Sequence, residues 1–284
     1  MPVVFQGERG AFSELAAVEY FGKKHRPVPV PQFSDVFTAV TGGKARYGIV
    51  PIENSMAGSI HHNYDMMLEN TCYIVGELYL RVSHFLITNK GVSRKTIRRV
   101  FSHPQAFAQC RQYLSRLTDV QQVPVSNTAA AVRKIREEGL RDAAAIASMQ
   151  AAIDYDMDIA AKDITDNPHN TTRFLVLSRA PNRRPPPGKH MKTSIVFSTK
   201  NIPGALFKSL SVFALRDINL LKIESRPFRK GGFQYLFYLD FEGSSGWKSQ
   251  SNALNHLQEI TAFYRFLGSY SVGREAHPTY RRRR

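Results

Sequence analysis

Apolar and polar positions along this chain fall into two periodicities. Short apolar runs at residues 3–5, 47–52, 73–75, 85–88, 100–102, 143–146 and 173–177 have the length and continuity of strands buried on both faces. Between them, Ser34 followed by Val36, Phe37 and Val40, the stretch 104–114 and the stretch 128–135 carry helix starts or helical spacing. That alternation predicts an α/β fold. It ends in a basic, proline-rich stretch that includes Pro181, Arg183, Arg184, Pro185, Pro186, Pro187, Gly188 and Lys189, which can continue neither a helix nor a central strand and reads as a linker. Beyond it the pattern predicts strand 193–198, helix 203–215, strands 220–224 and 233–241, helix 253–260 and strand 263–269. This β-α-β-β-α-β order is ferredoxin-like, with Pro203 expected in the first turn of its helix.

Length agrees with two domains, since 284 residues stand against roughly 100 to 200 per domain. Hydrophobic residues at 43% argue against wholesale disorder, and no apolar run reaches the roughly 18 to 20 residues of a membrane span. Cys72 and Cys110 are too few for a disulfide framework or a metal cluster, so a reduced, cytoplasmic protein without membrane contact is expected. The charge is the anomaly. Lys plus Arg number 39 against 23 Asp plus Glu, a formal +16. Nucleic-acid binding would rest on that charge alone, without a recognisable binding motif. The excess is clustered: Lys23, Lys24 and Arg26; Lys90, Arg94, Lys95, Arg98 and Arg99; Arg183, Arg184, Lys189 and Lys192 at the linker; and Arg281 to Arg284. Such a surface suits steering of an anionic substrate.

Four motifs carry candidate chemistry. Gly7, Glu8, Arg9, Gly10, Ala11, Phe12 and Ser13 follow a strand and open a helix, where free amides and the positive dipole end receive anions. Glu53, Asn54, Ser55, Gly58 and Ser59 cluster at the carboxyl end of a buried strand, the usual ligand position in α/β sheets. Ser102, His103, Pro104, Gln105 and Ala106 start a helix that continues to Gln109 and Cys110; His103 reads as a cap or packed residue, and Cys110 as a small core residue. Asn170, Thr171, Thr172, Arg173 and Phe174 place hydroxyls and a guanidinium at the entry of an apolar strand. Arg offers a planar fork for a carboxylate, and a hydroxyl beside it can donate to a leaving oxygen. Together they describe a pocket for a small dianionic acid, with no metal set, no phosphate loop and no nucleophile with an evident base.

The joint recurrence of Gly10 to Ser13, Glu53 to Ser59, Ser102 to Ala106 and Thr172 to Phe174, ahead of the β-α-β-β-α-β unit, resembles prephenate dehydratase followed by an ACT regulatory domain; the arogenate dehydratases are similar. The resemblance covers about residues 3–270. It implies a two-lobed catalytic region like a periplasmic binding protein, residues 1–178, with lobe one at 1–78 and 161–178 and lobe two at 79–160. A linker at 179–191, an ACT domain at 192–272 and a basic tail at 273–284 complete the expected organisation. The implied reaction is decarboxylating dehydration of prephenate to phenylpyruvate in phenylalanine synthesis, without metal or organic cofactor.

By the same resemblance Thr172 is the essential residue, donating to the leaving oxygen. Arg173 positions a carboxylate or orders the strand that does so, and Phe174 lies against the ring. Ser13, Asn54, Ser55, Gly58, Ser59 and Thr128 are expected to line the pocket, with Glu53 or His103 as the acid. In the second domain Gly204, Ala205 and Leu206, together with Glu224, Ser225, Arg226 and Pro227, match the family segments that bind L-phenylalanine. Feedback inhibition at an interface between ACT domains is expected, in a homodimer or homotetramer. Two alternatives stay open: arogenate as substrate, or a metabolite sensor without catalysis on the same scaffold.

Overall fold

The computed structural model describes residues 2–22, 25–182, 190–227 and 235–281. Its first stretch comprises β1 (Val3–Gln6), α1 (Phe12–Phe21), β2 (Pro27–Val30), α2 (Phe33–Thr41), β3 (Tyr47–Asn54), β4 (Gly58–Ser59), α3 (His61–Glu69) and β5 (Tyr73–Arg81). The chain then crosses to β6 (Phe85–Thr88), β7 (Arg99–Ser102), α4 (Pro104–Gln109), α5 (Arg111–Leu114), β8 (Gln121–Pro124), α6 (Thr128–Glu137), β9 (Ala143–Ala147), α7 (Met149–Asp154) and β10 (Asp158–Ala161). It returns through β11 (Thr171–Ser178) and continues into β12 (Met191–Thr199), α8 (Ala205–Ala214), β13 (Leu220–Pro227), β14 (Tyr235–Glu242), α9 (Lys248–Ile260), β15 (Thr261–Ser271) and β16 (Glu275–Ala276).

Among the described residues these strands build separate sheets, one per lobe and one beyond. The first runs β16-β5-β11-β3-β1-β2, with β4 on β3; the second runs β10-β6-β9-β7-β8. By sheet membership the chain leaves the first sheet after Arg81 and the second after Ala161, where the expected lobe limits were 78 and 160. β11 sits between β5 and β3, and six of its eight residues are buried, as a strand covered on both faces requires. In lobe two, β9 is built of Ala143, Ala144, Ala145, Ile146 and Ala147, all buried. Its small side chains admit the close approach of α6, whose own buried face begins Ala129, Ala130, Ala131. The structure breaks the expected helix 104–114 into α4 and α5 at Cys110, whose ψ of 24° departs from helical geometry. Cys110 is buried among Ala106, Leu114 and Val100, a core position that pushes its thiol up to about 12.

The second compact unit gathers Thr71–Glu77 and Val176–Gly273. Its sheet order β13-β14-β12-β15, with antiparallel pairing of β13 to β14, β14 to β12 and β12 to β15, is the ferredoxin-like topology. Ile195, Phe197, Val212, Phe213, Leu239, Phe241 and Leu257 form its core against α8 and α9. Pro203 precedes the helix rather than entering it, because Gly204 takes the left-handed N-cap position at φ 73°. Lys192, expected at the basic linker, is buried in β12 with its Nζ 2.8 Å from Glu77. Most of the linker (183–189) and the charged positions Lys23 and Lys24 lie outside the described residues.

Of the expected basic tail at 273–284, residues 282–284 lie outside the described residues, while residues 274–281 belong to the first unit and pack on it. β16 pairs in parallel with β5, Glu275 opposite Tyr79 and Ala276 opposite Leu80. Thr279 N–H donates to Glu19 on α1, Tyr280 packs edge-on against Phe85, and Arg281 exchanges two hydrogen bonds with the Gln150 amide on α7. The segment was unreadable in sequence because it lacks apolar periodicity; backbone pairing and single contacts hold it.

Candidate active site

A cavity of about 320 Å³ in the first unit is lined from both lobes. Lobe one contributes Ala11, Phe12 and Ser13 at the start of α1, Asn54 at the end of β3, and Thr172 and Phe174 on β11. Lobe two contributes His103, Gln105 and Gln109 on and before α4, and Ser126, Asn127 and Thr128 at the start of α6. His84 lines it from the crossover between β5 and β6.

Strand alternation sorts the Thr172, Arg173, Phe174 triplet. Side chains at i and i+2 share a face, so Thr172 and Phe174 both reach the cavity, while Arg173 is buried away from its lining. The cavity also excludes Glu53, Ser55, Gly58 and Ser59. These residues build the turn that presents Asn54: Glu53 pairs with Ser59 and Asn54 with Gly58 across β3 and β4, and Ser55 exchanges hydrogen bonds with Thr171 through N–H to O (2.9 Å) and N–H to Oγ (3.0 Å).

Asn54 is the centre of the polar network. Its Oδ1 accepts the backbone N–H groups of Met56 and Ala57, each at 3.0 Å. A backbone N–H can only donate, so that atom must be the carbonyl oxygen and the other must be the amide nitrogen. Nδ2 then directs its two hydrogens to the nearer two of three acceptors, Asn170 Oδ1 at 2.8 Å and Thr172 Oγ1 at 2.9 Å, with Thr171 O farther off at 3.4 Å. The Thr172 oxygen therefore accepts, and its own hydrogen is left to donate elsewhere. A hydroxyl oriented in this way at the cavity wall is a directed donor.

Among its described lining residues the cavity carries no Asp, Glu, Lys or Arg. Anion recognition falls to helix starts and hydroxyls. The Ala11 N-cap of α1 makes no side-chain cap bond, leaving first-turn amides beside Ser13 for a ligand. On the other lobe Asn127 caps α6 by accepting from Ala130 N–H at 2.8 Å, and Thr128 follows at the positive end of that helix. His103 caps α4, its Nδ1 accepting from Gln105 N–H at 3.2 Å, and partial burial lowers its pKa. Nε2 is then the protonated nitrogen of the neutral ring, a hydrogen-bond donor at neutral pH rather than a charged acid. The lobes are held in close register by Gly10, whose φ of 81° and 2.5 Å clearance from Ala151 to an added Cβ exclude a side chain. Ser148 Oγ also donates to Gly10 O at 2.6 Å.

The prephenate dehydratase family model matches residues 3–182, the segment that carries this cavity. The chain belongs to the prephenate dehydratase family. It is 50% identical over 279 residues to "Arogenate dehydratase/prephenate dehydratase 2, chloroplastic" of Arabidopsis thaliana, covering 95% of this chain and 72% of that one. The solved prephenate dehydratase of Arthrobacter aurescens, in complex with L-Phe, is 32% identical with a TM-score of 0.88, covering 95% of this chain and 90% of that one. GqqA, described as a novel type of quorum quenching acylase, is likewise 32% identical, with a TM-score of 0.87 and coverage of 96% and 98%.

Several lining residues of the dehydratase cavity stand in none of the sequence motifs: Gln6, Phe33, Ile60, Val82, His84 and Ser126. In the second unit, Gly204, Ala205 and Leu206 form the N-terminus of α8, and Leu206 packs on the core. Glu224, Ser225, Arg226 and Pro227 lie within β13 rather than after it, paired with Tyr238, Phe237, Leu236 and Tyr235. β13 is an edge strand, and Pro227 fits there because an edge tolerates a missing donor.

Proposed function

We propose that this chain catalyses decarboxylating dehydration of prephenate to phenylpyruvate, carbon dioxide and water. The ring carboxylate leaves as carbon dioxide, its bonding electrons complete the aromatic ring, and the C–O bond opposite breaks. The departing oxygen takes up a proton to leave as water. Aromatisation drives the step, and its barrier is the charge developing on that oxygen, so a pre-oriented donor there lowers it. The carrying observation is Thr172, whose oxygen is occupied by Asn54 and whose hydrogen is thereby free for the leaving group. Thr172 acts as an oriented donor, the neutral His103 offers a second N–H to the cavity, and the proton that completes the water is drawn from solvent, since Glu53 does not line the cavity. Arg173, buried in β11, orders that strand. Phe174 supplies an apolar face for the ring, and Ser13, Thr128 and the starts of α1 and α6 receive the carboxylates.

Arogenate is the second candidate substrate, on the strength of the plant relatives' names. Prephenate is placed first because the described lining residues include no carboxylate to meet an ammonium group. Regulation by L-phenylalanine through an ACT-type second unit is part of the same proposal, supported by the similarity to the L-Phe-bound dehydratase. Assembly through that unit is supported by the edge strand β13, with Leu221 and Ile223 exposed, and by Phe207 and Leu215 exposed on and beside α8.

Purified protein incubated with each substrate, reading product absorbance with and without L-phenylalanine, tests the proposal. Turnover of prephenate, suppressed by phenylalanine, is the expected result. Turnover of neither substrate overturns catalysis in favour of a sensor, and turnover of arogenate alone reverses the order of substrates.

A further inference from the structure

The network around Asn54 does not stop at Thr172. Asn54 Oδ1 also accepts from Gln109 Nε2 at 3.3 Å, and because that oxygen is already fixed as an acceptor by two backbone N–H groups, Gln109 must present its amide nitrogen there. Its Oε1 then faces His84 Nε2 at 2.9 Å. A carbonyl oxygen accepts only, so Nε2 carries the hydrogen and Nδ1 is the bare nitrogen of a neutral ring. His84 is 2% exposed, and Nδ1 has no hydrogen-bond partner among the described residues. A charged ring would leave a buried N–H unsatisfied at that atom, which burial penalises. Phe12 closes on the ring edge-to-face at 5.4 Å, and Thr165 Oγ1 accepts from its backbone N–H at 2.9 Å. The ring is therefore held from several sides.

We propose that His84 and Gln109 are positioning residues for the Thr172 hydroxyl: neutral His84 orients the Gln109 amide, Gln109 supports Asn54, and Asn54 occupies the Thr172 oxygen so that its hydrogen faces the substrate. Every bond in this chain donates in one sense, from His84 towards Thr172. No proton travels along it, since two of its members are amides; its work is to fix direction. Neither residue touches the reacting atoms. The proposal rests on the dehydratase reading of the same cavity and adds two residues to it, one on α4 and one at the crossover.

Four variants test the chain. Gln109→Leu removes both of its bonds and lowers kcat about ten- to a hundredfold with KM within about threefold, because only transition-state stabilisation is lost. Gln109→Glu makes a sharper test. An ionised carboxylate cannot donate to Asn54 Oδ1, which its backbone donors hold in place, whereas a protonated one can. Activity relative to wild type then rises as the pH falls through the titration of the new carboxyl, giving an acid-shifted profile. The titratable neighbours of that position are His84, His103, Cys110 and Asp166, whose backbone N–H donates to Gln109 O. His84→Gln retains a donor at the corresponding reach and restores kcat to within about tenfold of wild type, where His84→Leu does not. Imidazole 15N shifts of the unliganded protein report the Nε2–H tautomer of His84 independently of activity. A Gln109→Leu variant with wild-type kcat, a Gln109→Glu profile parallel to wild type, or an Nδ1–H tautomer overturns the proposal alone. Absence of turnover by the wild type, with the tautomer as stated, overturns the dehydratase reading instead.

Discussion

The two lobes meet their shared cavity with different chemistry. Lobe one places Asn54 and Thr172 at strand positions whose polar atoms are tied to one another and to backbone N–H groups. Lobe two presents helix starts, with His103 and Asn127 spent on capping and Thr128 behind them. A strand-borne network fixes the direction of one hydrogen bond; a helix start supplies diffuse positive potential that holds an anion without a counter-charge. On the proposed mechanism the Asn54–Thr172 network, with Gln109 of lobe two behind it, sets the rate of bond breaking, and the helix starts, α6 of lobe two with α1 of lobe one, set retention of the substrate, so substitutions in these two groups should separate into kcat and KM effects.

The sharpest way to break that comparison is Thr172→Ala, expected to lower kcat by about 100- to 1,000-fold, the scale of losing one preorganised donor, while Thr172→Ser keeps most of it. Steady-state kinetics on both variants decide the matter, and a Thr172→Ala enzyme with nearly full kcat removes the donor role from lobe one.

Acid is the next lever, through the crossover residue on which the network begins. Burial pushes His84 down to about 4 from the ordinary 6.5, so between those values the unfolded chain binds the extra proton and the folded one does not. Stability from this residue is complete above about pH 6.5 and is lost as pH falls towards about 4, with a slope up to about 1.4 kcal/mol per pH unit. Denaturant unfolding across that range shows the slope, and His84→Gln flattens it; an unchanged slope in the variant assigns the acid sensitivity to another group.

The smallest effect is expected on lobe two. Asn127→Ala removes the α6 cap, costing about 1 kcal/mol of stability, and raises KM a few-fold with little change in kcat. Equal losses in kcat and KM would show that the network and the helix starts do not divide the work as described.

What the sequence disclosed follows the same physical lines. Strands buried on both faces, such as β3, β9 and β11, show as continuous apolar runs; the edge strands β2, with its two prolines, and β8, half glutamine, do not. Asn54 and Thr172 stand out because they interrupt or begin apolar runs. Arg173 was drawn towards the substrate by its guanidinium, although alternation along β11 already places it on the face opposite Thr172 and Phe174. His84 gave no local sign: it is a single histidine between Ser83 and an apolar run, and its importance comes from Gln109, twenty-five positions away in the chain. Gln109 itself lay within a recognised motif, but the reason for an amide there exists only once β3 and α4 are brought together.

β16 also changes how the domains are to be counted. Because the chain comes back to lie beside β5 after completing the ferredoxin-like unit, that unit is an insertion within the catalytic architecture rather than an appendage to it. Severing the chain after β11 would leave β5 with an open edge and remove the ring that packs on Phe85 and the backbone that satisfies Gln150. An autonomous catalytic fragment would have to carry the terminal segment spliced directly onto β11, and the dependence of one half on residues encoded after the other makes the two inseparable by simple truncation.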